Sequence, residues 1–474
     1  MHYVSTRDAR PRPATRSFEE VLVGGLAEDG GLYVPDRLPA LDAAFWRGCA
    51  GLPYAELAAR LVGLFAGDSF ASDELQGLAA IAYGRFRHAA VTPLVQLDER
   101  LWLLELFHGP TLAFKDLALQ LLGLLLDRAL ERHGEHATIV GATSGDTGSA
   151  AIAACRDRTA IDLFILYPKG RISEVQRRQM TTVEAGNVHA VAIEGSFDDC
   201  QDLVKALFAD APLRASLRLA AVNSINWARI AAQTVYYAAA ALALGAPERR
   251  VSFSVPTGNF GNVYAGHLAR RIGLPIGRLA IGTNRNDILW RYLATGEMAI
   301  TAVTATLSPS MDIQVSSNFE RLLFELKGRS GAATAAAMQG FRRDGALPHD
   351  EQAWRAARRL LSAHRFDDEE TMAAIADTYR RSGTLIDPHT AIAVAAARAD
   401  LAQDGDAAPI VALATAHAAK FPDAVERATG VRPAVPPALA ELFDRPEREM
   451  TLPADLHAVR QFIRGHARHA KAAA

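Results

Sequence analysis

The chain has 474 residues, of which 50% are hydrophobic and 22% charged, and its formal net charge is -2. This composition is typical of a globular protein of about two or three domains and excludes a disordered chain. The balanced charge gives no indication of a nucleic-acid or membrane partner, and no apolar stretch of about 18 residues predicts a leader or a membrane span.

The three cysteines are widely separated in the sequence. Since this spacing argues against a disulfide framework or a zinc site, we expect no metal and a reducing, cytoplasmic location.

The N-terminal residues, 1–95, are predicted to form a small domain. They contain the turn-rich stretch GLAEDGGLYVP, followed by amphipathic patterns such as PYAELAARLVGLFAG. Gly, Asp and Pro mark the turns, and the apolar residues that follow recur at helical spacing.

From about residue 137, short apolar runs alternate with helical patterns. The runs that precede a helical pattern are ATIVGAT, IDLFILYP, NVHAVAIEG, LRLAAVN, RVSFSVPTG and RLAIGTN. Continuous apolar strands separated by helices are typical of a parallel sheet covered on both faces. The chain is therefore predicted to be an α/β protein.

Residues 305–384 interrupt the alternation with long helical patterns, so we predict an all-helical insert there. The alternation returns with DPHTAIAVAAARADLAQ and a last strand, PIVALATA. The predicted α/β core accordingly comprises residues 96–304 and 385–474.

The first of three polar loops, GATSGDTGSA, lies where a predicted strand leads into a predicted helix. Ligands of α/β proteins bind at such places. The hydroxyls of Thr143, Ser144 and Thr147, with the free amides of a helix start, would suit a small anion such as a carboxylate. The spacing matches neither a P-loop nor a dinucleotide-binding loop. Helix capping with turn glycines remains the alternative function of these residues.

The second loop, PTGNFGN, occupies residues 256–262 and is predicted to cradle a phosphate. Its glycines let the backbone close around an anion, and its asparagines tolerate unusual φ values while donating hydrogen bonds. An ordinary turn at a helix start is the alternative.

The third loop lies in VNSINWARIAAQ, residues 222–233. Asn223, Ser224 and Asn226 precede the predicted helix, and Arg229 lies about one turn inside it, so these side chains could converge on one phosphate. Helix capping and a surface arginine would explain the same residues.

Lysine is rare in this chain, since six of the 51 basic residues are lysines. Lys115, in HGPTLAFKD, follows a predicted strand and a turn and lies near the start of a helix. The helix dipole and the aromatic rings of Phe107 and Phe114 would both lower its pKa, as a Schiff-base lysine requires. A salt bridge to Asp116 is the alternative.

Together, a lysine able to form an imine, a phosphate cradle and a carboxylate loop predict a pyridoxal-phosphate enzyme that acts on an amino acid. A second phosphate site would then belong to the substrate.

Four motifs carry a resemblance to a known family. HGPTLAFKD, TSGDTGSA, GNFGN and ALATAHAAKFPDAV resemble the long form of threonine synthase, and the likeness covers nearly the whole chain. The resemblance implies fold type II of pyridoxal-phosphate enzymes, like the tryptophan synthase β subunit, with two parallel-sheet α/β domains, a small N-terminal domain and the helical insert. It implies that O-phospho-L-homoserine and water become L-threonine and phosphate by γ-elimination and β-hydration, the last step of threonine biosynthesis.

The resemblance also implies roles for individual residues. Lys115 would hold the cofactor as a Schiff base and act as general acid and base, and Thr415 would bind the pyridine nitrogen. The cofactor phosphate would be held by Gly258, Asn259, Phe260, Gly261 and Asn262. The substrate carboxylate would be held by Thr143, Ser144 and Thr147. The substrate phosphate would be held by Asn223, Ser224, Asn226 and Arg229, with Lys169, Arg171 and Ser173 as a second choice.

Asp146 would face the 3-hydroxyl oxygen of the cofactor, where many relatives of other activity have an asparagine that donates a hydrogen bond. A carboxyl group donates only when it is protonated, so either Asp146 or the cofactor oxygen carries a shared proton. We expect Asp146 to keep that proton.

Other functions are compatible with the same motifs. A phospholyase would release 2-oxobutyrate from the same substrate, and a serine/threonine dehydratase would need no second phosphate site, so the residues from Asn223 to Arg229 argue against it. A non-catalytic cofactor carrier or a helix-rich interaction protein is the alternative from another class. We expect a monomer rather than a homodimer.

Overall fold

The computed structural model describes residues 1–220, 225–403 and 408–468 of the chain. Its N-terminal part pairs two short strands antiparallel and surrounds them with helices. In chain order these elements are β1 (Tyr3–Ser5), α1 (Phe18–Gly24), β2 (Tyr33–Pro35), α2 (Ala43–Arg47), α3 (Tyr54–Ala66) and α4 (Ser72–Tyr83).

Strands and helices alternate along most of the remaining chain. Before the insert the elements are β3 (Leu94–Gln96), β4 (Leu101–Glu105), α5 (Lys115–Arg132), β5 (Ala137–Ala142), α6 (Asp146–Cys155), β6 (Ile161–Pro168), α7 (Glu174–Thr181), β7 (Val188–Glu194), α8 (Phe197–Ala209), α9 (Ala211–Leu217), β8 (Leu219–Ala220), α10 (Trp227–Ala243), β9 (Val251–Pro256), α11 (Gly261–Arg271), β10 (Ile276–Thr283) and α12 (Ile288–Thr295). The insert contains α13 (Phe319–Leu326), α14 (Gly331–Asp344), α15 (Glu351–Leu360), β11 (Leu361–Arg365) and α16 (Asp368–Ser382). The chain continues with α17 (Pro388–Gln403), β12 (Ile410–Ala414), α18 (Pro422–Thr429), α19 (Pro437–Phe443), β13 (Met450–Pro453) and α20 (Leu456–His466).

Two sheets form the centre of the molecule. One has six strands in the order β11-β10-β9-β12-β4-β3, all parallel except the antiparallel pair β3 and β4. The other has five parallel strands in the order β13-β7-β6-β5-β8. Strands β6 and β12 are buried along their whole length, as the continuous apolar runs predict. The predicted α/β class is confirmed.

Helix α5 is buried on nearly all sides and packs against α4, α6 and α10. A helix that is apolar all round belongs in the interior of a protein, which explains the leucine-rich run that follows Lys115. None of the helices within the described ranges is long and apolar enough to cross a membrane.

The prediction of an all-helical insert is wrong at β11, which pairs in parallel with β10 at the edge of the six-stranded sheet. Leu361 and Ala363 pack on the hydrophobic core, whereas Ser362 and His364 hydrogen-bond the carboxylate of Asp400. This alternation with a period of two lasts for only five residues between two helical patterns. It is therefore hard to detect in the sequence.

PIVALATA is likewise not the last strand, since β13 follows it and pairs in parallel with β7. Of the predicted strand LRLAAVN, residues 219–220 form β8, and residues 221–224 lie outside the described part of the chain.

The insert is joined to the rest of the molecule by a buried arginine. Arg321, in α13, is 0% exposed and donates from Nε to the carbonyl oxygen of Tyr33 at 3.0 Å and from Nη2 to that of Ile225 at 2.5 Å. Its Nη1 donates to Asn318, and its guanidinium lies 5.6 Å from the ring centre of Trp227. One side chain thus connects the insert, the N-terminal part and the start of α10.

We expect Arg321→Met to lower the free energy of unfolding by about 3 kcal/mol, because it leaves buried carbonyl groups without their charged donor. Urea denaturation measures this change. Arg342→Met, at an exposed position of α14, is the matched control and should change stability by less than about 0.5 kcal/mol. Equal stability of the two variants would contradict the anchoring role of Arg321.

Candidate active site

The carboxyl ends of strands from both sheets meet at one pocket. Residues that follow β4, β9 and β12 of the six-stranded sheet line it, together with the start of α6 after β5. Ligand sites of α/β proteins lie at such strand ends. The predicted site residues that line the pocket are Lys115, Asp146, Thr147, Arg229, Gly258, Asn259, Phe260, Gly261, Asn262 and Thr415.

Lys115 is the first residue of α5, as the sequence predicts, and its side chain is 11% exposed. Burial lowers the pKa of Lys115; the carboxylate of Asp146 acts against burial, whereas the charges of Lys420 and Arg229 lower the pKa further. The Nζ atom lies 5.0 Å from the ring centre of Phe114. Phe107, which was also expected to desolvate the lysine, packs against histidine rings instead.

The suspected ion pair between Lys115 and Asp116 is absent among the described contacts, because Asp116 serves the preceding turn. The backbone N and the Oγ1 of Thr111 each donate to the Asp116 carboxylate at 2.7 Å. A side chain at Gly109 would place its Cβ 2.5 Å from that of Asp116, so this close approach requires glycine. Leu112 has a left-handed φ of 58°, a strained conformation that leucine rarely adopts. The turn is thus rigidly held, and it fixes where Lys115 begins its helix.

Asp146 lies opposite Lys115, with its Oδ2 atom 3.7 Å from the lysine Nζ. Its Oδ1 atom accepts from Lys420 Nζ at 2.6 Å and from Gln176 Nε2 at 2.9 Å. Burial raises the pKa of Asp146, but the nearby ammonium groups of Lys420 and Lys115 outweigh burial and hold the pKa well below its usual range. These charges favour the carboxylate form of Asp146 in the protein without its cofactor, and the expectation that Asp146 keeps a proton shared with the cofactor oxygen stays a prediction.

The loop of residues 256–262 forms one wall of the pocket and leads into α11. The residue with a left-handed backbone is Phe260, with a φ of 64°, rather than an asparagine. A Cβ at Gly258 would lie 3.2 Å from the carbonyl oxygen of Ser310, so the insert approaches this glycine closely. Tyr236 and Tyr237 donate to the side-chain oxygen of Asn262 at 2.6 and 2.8 Å. The Asn262 Nδ2 atom is buried and has no hydrogen-bond partner within the described ranges.

Arg229, in the first turn of α10, is 4% exposed and faces the same pocket. Its Nε and Nη1 atoms are buried, and among the residues that the structure describes they have no hydrogen-bond partner. Burial lowers the pKa of Arg229 to about 10, which still leaves it charged at neutral pH. Buried donors of this kind require a partner, so Arg229 and Asn262 fit a pocket that receives an anionic group.

The structure gives Thr143 another role than the expected one. Thr143 is buried and is not among the described residues that line the pocket. Its Oγ1 atom accepts from the backbone N of Gly145 at 3.0 Å and of Gly148 at 2.8 Å. It therefore shapes the turn and the start of α6, whereas Ser144 is half-buried in the same loop and Thr147 reaches the pocket.

Asn226 is also a capping residue. Its side chain accepts from the backbone N of Ala228 at 3.0 Å and donates to the carbonyl oxygen of Leu22 at 2.9 Å, which joins α10 to α1. The expected phosphate ligands Asn223 and Ser224 lie outside the described residues. The structure thus brings only Arg229 of this group to the pocket, among the residues that it describes.

The residues that were the second choice for binding the substrate phosphate lie at the surface and at a helix start. Ser173 caps α7, and Lys169 pairs with Glu194 at 3.6 Å.

Sequence reasoning missed Lys420, Gln176 and His389. The rarity of lysine, which identifies Lys115, applies equally to the buried Lys420. His389 lines the pocket, with its Nδ1 atom 2.6 Å from Asp387 Oδ2 and its Nε2 atom accepting from the backbone N of Ser310 at 3.2 Å. Neither His389 nor Gln176 stands in a motif that indicates a site. In the described part of the chain, no group of three or more His, Cys, Asp or Glu side chains is arranged to hold a metal ion.

Three family models match the chain. The threonine synthase N terminus matches residues 2–83, the pyridoxal-phosphate dependent enzyme family residues 86–343, and the threonine synthase C-terminal domain residues 390–463. Threonine synthase of Pseudomonas aeruginosa is 53% identical over 472 residues, which cover 99% of this chain and 100% of that protein.

Solved structures agree with these matches. The PLP-bound threonine synthase from Brucella melitensis superimposes with a TM-score of 0.95 at 51% identity, covering 99% of this chain and 100% of that one. Threonine synthase from yeast superimposes with a TM-score of 0.94 at 39% identity, covering 98% of each chain.

We expect Thr143→Val to lower the free energy of unfolding by about 1 to 3 kcal/mol, because the amides of Gly145 and Gly148 lose their acceptor. Thr143→Ser keeps the hydroxyl and should retain most of the stability. Urea denaturation of the ligand-free protein measures both. If the valine variant were as stable as the unmodified protein, the capping role of Thr143 would be wrong.

Proposed function

This chain belongs to the threonine synthase family, and from that premise we propose that it converts O-phospho-L-homoserine and water to L-threonine and phosphate. It has the type II fold of pyridoxal-phosphate enzymes, and its cofactor is pyridoxal 5'-phosphate. The observation that carries the proposal is that one pocket joins a buried lysine to donors of Arg229 and Asn262 that have no hydrogen-bond partner among the described residues. A cofactor that carries an aldehyde and a phosphate group needs such a pocket, and so does a phosphorylated substrate.

The cofactor would be held at its two ends. Lys115 would bind the aldehyde carbon through Nζ as a Schiff base, which its lowered pKa favours, and Thr415 would bind the ring nitrogen. The phosphate would be held by the loop Gly258, Asn259, Phe260, Gly261 and Asn262, whose amides lie at the start of α11. When bound, pyridoxal phosphate supplies an electron-accepting ring that stabilises negative charge at substrate carbons next to the amino group.

Asp146 would accept a hydrogen bond on its Oδ2 atom, because it is held here as a carboxylate. Since a carboxylate only accepts, the shared proton would then belong to the cofactor oxygen rather than to Asp146.

The substrate would be held by polar groups of two loops. Ser144 and Thr147, with the amides at the start of α6, would bind the α-carboxylate, and Arg229 would bind the phosphate. Lys115 would accept the proton from the α carbon and later return it. Arg229 would keep the released phosphate in the pocket. The phosphate oxygens could there accept a proton from the water that adds to the β carbon.

We further propose that the protein acts in the cytoplasm as a monomer, and that it binds neither nucleic acid nor a membrane. Its balanced charge supports the last two points.

A phospholyase is the alternative that shares substrate and pocket. We expect purified protein given O-phospho-L-homoserine to release threonine and phosphate in equal amounts. Chromatographic measurement of threonine and 2-oxobutyrate, with a phosphate assay on the same samples, separates the two functions. Phosphate with 2-oxobutyrate but without threonine would overturn the synthase proposal.

We expect Lys115→Arg to keep the positive charge and to reduce turnover by at least about 1000-fold, because a guanidinium cannot form a Schiff base or exchange protons at neutral pH. The shift in visible absorbance that the cofactor shows when it binds Lys115 should disappear as well. Lys327→Arg, in a lysine–carboxylate pair with Asp350 that is not among the described pocket-lining residues, is the matched control and should be fully active.

We expect Arg229→Met to raise KM for O-phospho-L-homoserine by about 10- to 100-fold, since a charged hydrogen bond to phosphate is lost. Steady-state kinetics at saturating cofactor measure this change, and Arg218→Met, which removes a surface pair with Glu135, serves as control. Unchanged KM with weakened cofactor binding would assign Arg229 to the cofactor phosphate instead.

A further inference from the structure

Lys420 has no role in the function proposed above, although its side chain is 0% exposed. It lies in the turn after β12, and its Nζ atom donates to the carbonyl oxygen of Thr111 at 3.0 Å. The same atom lies 2.6 Å from Asp146 Oδ1. A buried ammonium group is costly unless it is paired and hydrogen-bonded, and lysine is almost never fully buried without such partners. Lys420 meets this requirement through Asp146 and the carbonyl oxygen of Thr111.

The two oxygens of Asp146 face different environments. Oδ1 is occupied by Lys420 and by Gln176, neither of which is among the described residues lining the pocket. Oδ2 faces Lys115 at 3.7 Å, which exceeds a hydrogen-bond distance. Lys420 and Gln176 thus hold the carboxylate on the side away from the pocket, and Oδ2, which accepts no hydrogen bond from the described residues, lies on the pocket side.

Two ammonium groups compete for this one carboxylate, and the distances show which of them is paired. Asp146 is 2.6 Å from Lys420 and 3.7 Å from Lys115. The other charged groups that act on Lys115 are Arg229 and Asp116, and Asp116 is engaged by the preceding turn. Because Lys420 lies closer to Asp146 and also repels Lys115, it weakens the hold of this carboxylate on a protonated Lys115.

We propose that Lys420 is a positioning residue, which occupies Asp146 from behind the pocket and so leaves the amine of Lys115 free to form its covalent bond. That bond joins Nζ to the aldehyde carbon of pyridoxal phosphate, and the aldehyde oxygen leaves as water. Only the neutral amine attacks, and an adjacent cation is a known means of favouring it. The inference rests on the proposed use of Lys115.

The test measures how fast cofactor-free, full-length protein acquires visible absorbance after mixing with pyridoxal phosphate, from about pH 6 to about pH 9. In Lys420→Met, Lys115 loses a nearby cation and, among the described lysines, remains the one that faces Asp146, so the pKa of Lys115 should rise. One pKa unit changes the neutral fraction about tenfold, so loading at pH 7 should be at least about tenfold slower and should approach the unmodified protein at high pH.

Two further variants separate this role from a merely structural one. Lys420→Met combined with Asp146→Asn removes both charges, and it should return the pH profile of loading towards that of the unmodified protein. Lys327→Met breaks a comparable lysine–carboxylate pair in the insert and should not move the profile. An unshifted profile in Lys420→Met, or a double variant that stays as slow as the single one, would overturn the proposal.

Asp146→Asn alone keeps the proposal testable if Lys420→Met does not fold, as judged by circular dichroism. Loss of the carboxylate leaves Lys115 next to an unneutralised Lys420, so its loading profile should move to lower pH. An unmoved profile would again contradict the proposal. Failure of the proposed function would give a different result. If the protein formed 2-oxobutyrate in place of threonine, all these loading profiles would still be as expected.

Discussion

The ion pair between Asp146 and Lys420 is the contact on which the rest of the site depends. Asp146 begins α6, after a strand of the five-stranded sheet, whereas Lys420 and Lys115 follow β12 and β4 of the six-stranded sheet. Attraction between charges is strong where water is excluded. A single carboxylate therefore links the position of one sheet relative to the other with the charge of Lys115. Lys420 also donates to the carbonyl oxygen of Thr111, so the turn that precedes Lys115 contacts the same ion pair.

The sequence predicts those features that depend on local pattern or on an unusual residue type. Buried strands such as β6 are recognised as unbroken apolar runs, and Lys115 is recognised because arginine replaces lysine almost everywhere else. The loop of residues 256–262 is recognised as a glycine-containing turn between a strand and a helix. Its backbone is nevertheless different in detail, because the left-handed residue is Phe260.

Features that depend on which of several possible partners a side chain contacts are not predictable in this way. Thr143 and Asn226 have side chains suited both to capping a helix and to binding an anion, and only their hydrogen-bond partners show that they cap. The pairing of Lys420 with Asp146 joins residues far apart in the chain, and no spacing in the sequence indicates it. Strand β11 exists because β10 offers a free edge, which overrides the helical pattern on both sides.

The insert also covers one edge of the six-stranded sheet. An uncovered edge strand exposes backbone groups that can pair with another chain and start aggregation. The buried strand β10 would be such an edge without β11. β11 has only five residues, its Ser362 and His364 are bound to Asp400, and Arg365 at its end bonds Asp287 at 2.9 Å. A short strand that ends in a charged, partnered side chain is a poor template for further pairing, so the segment that completes the sheet also stops its growth.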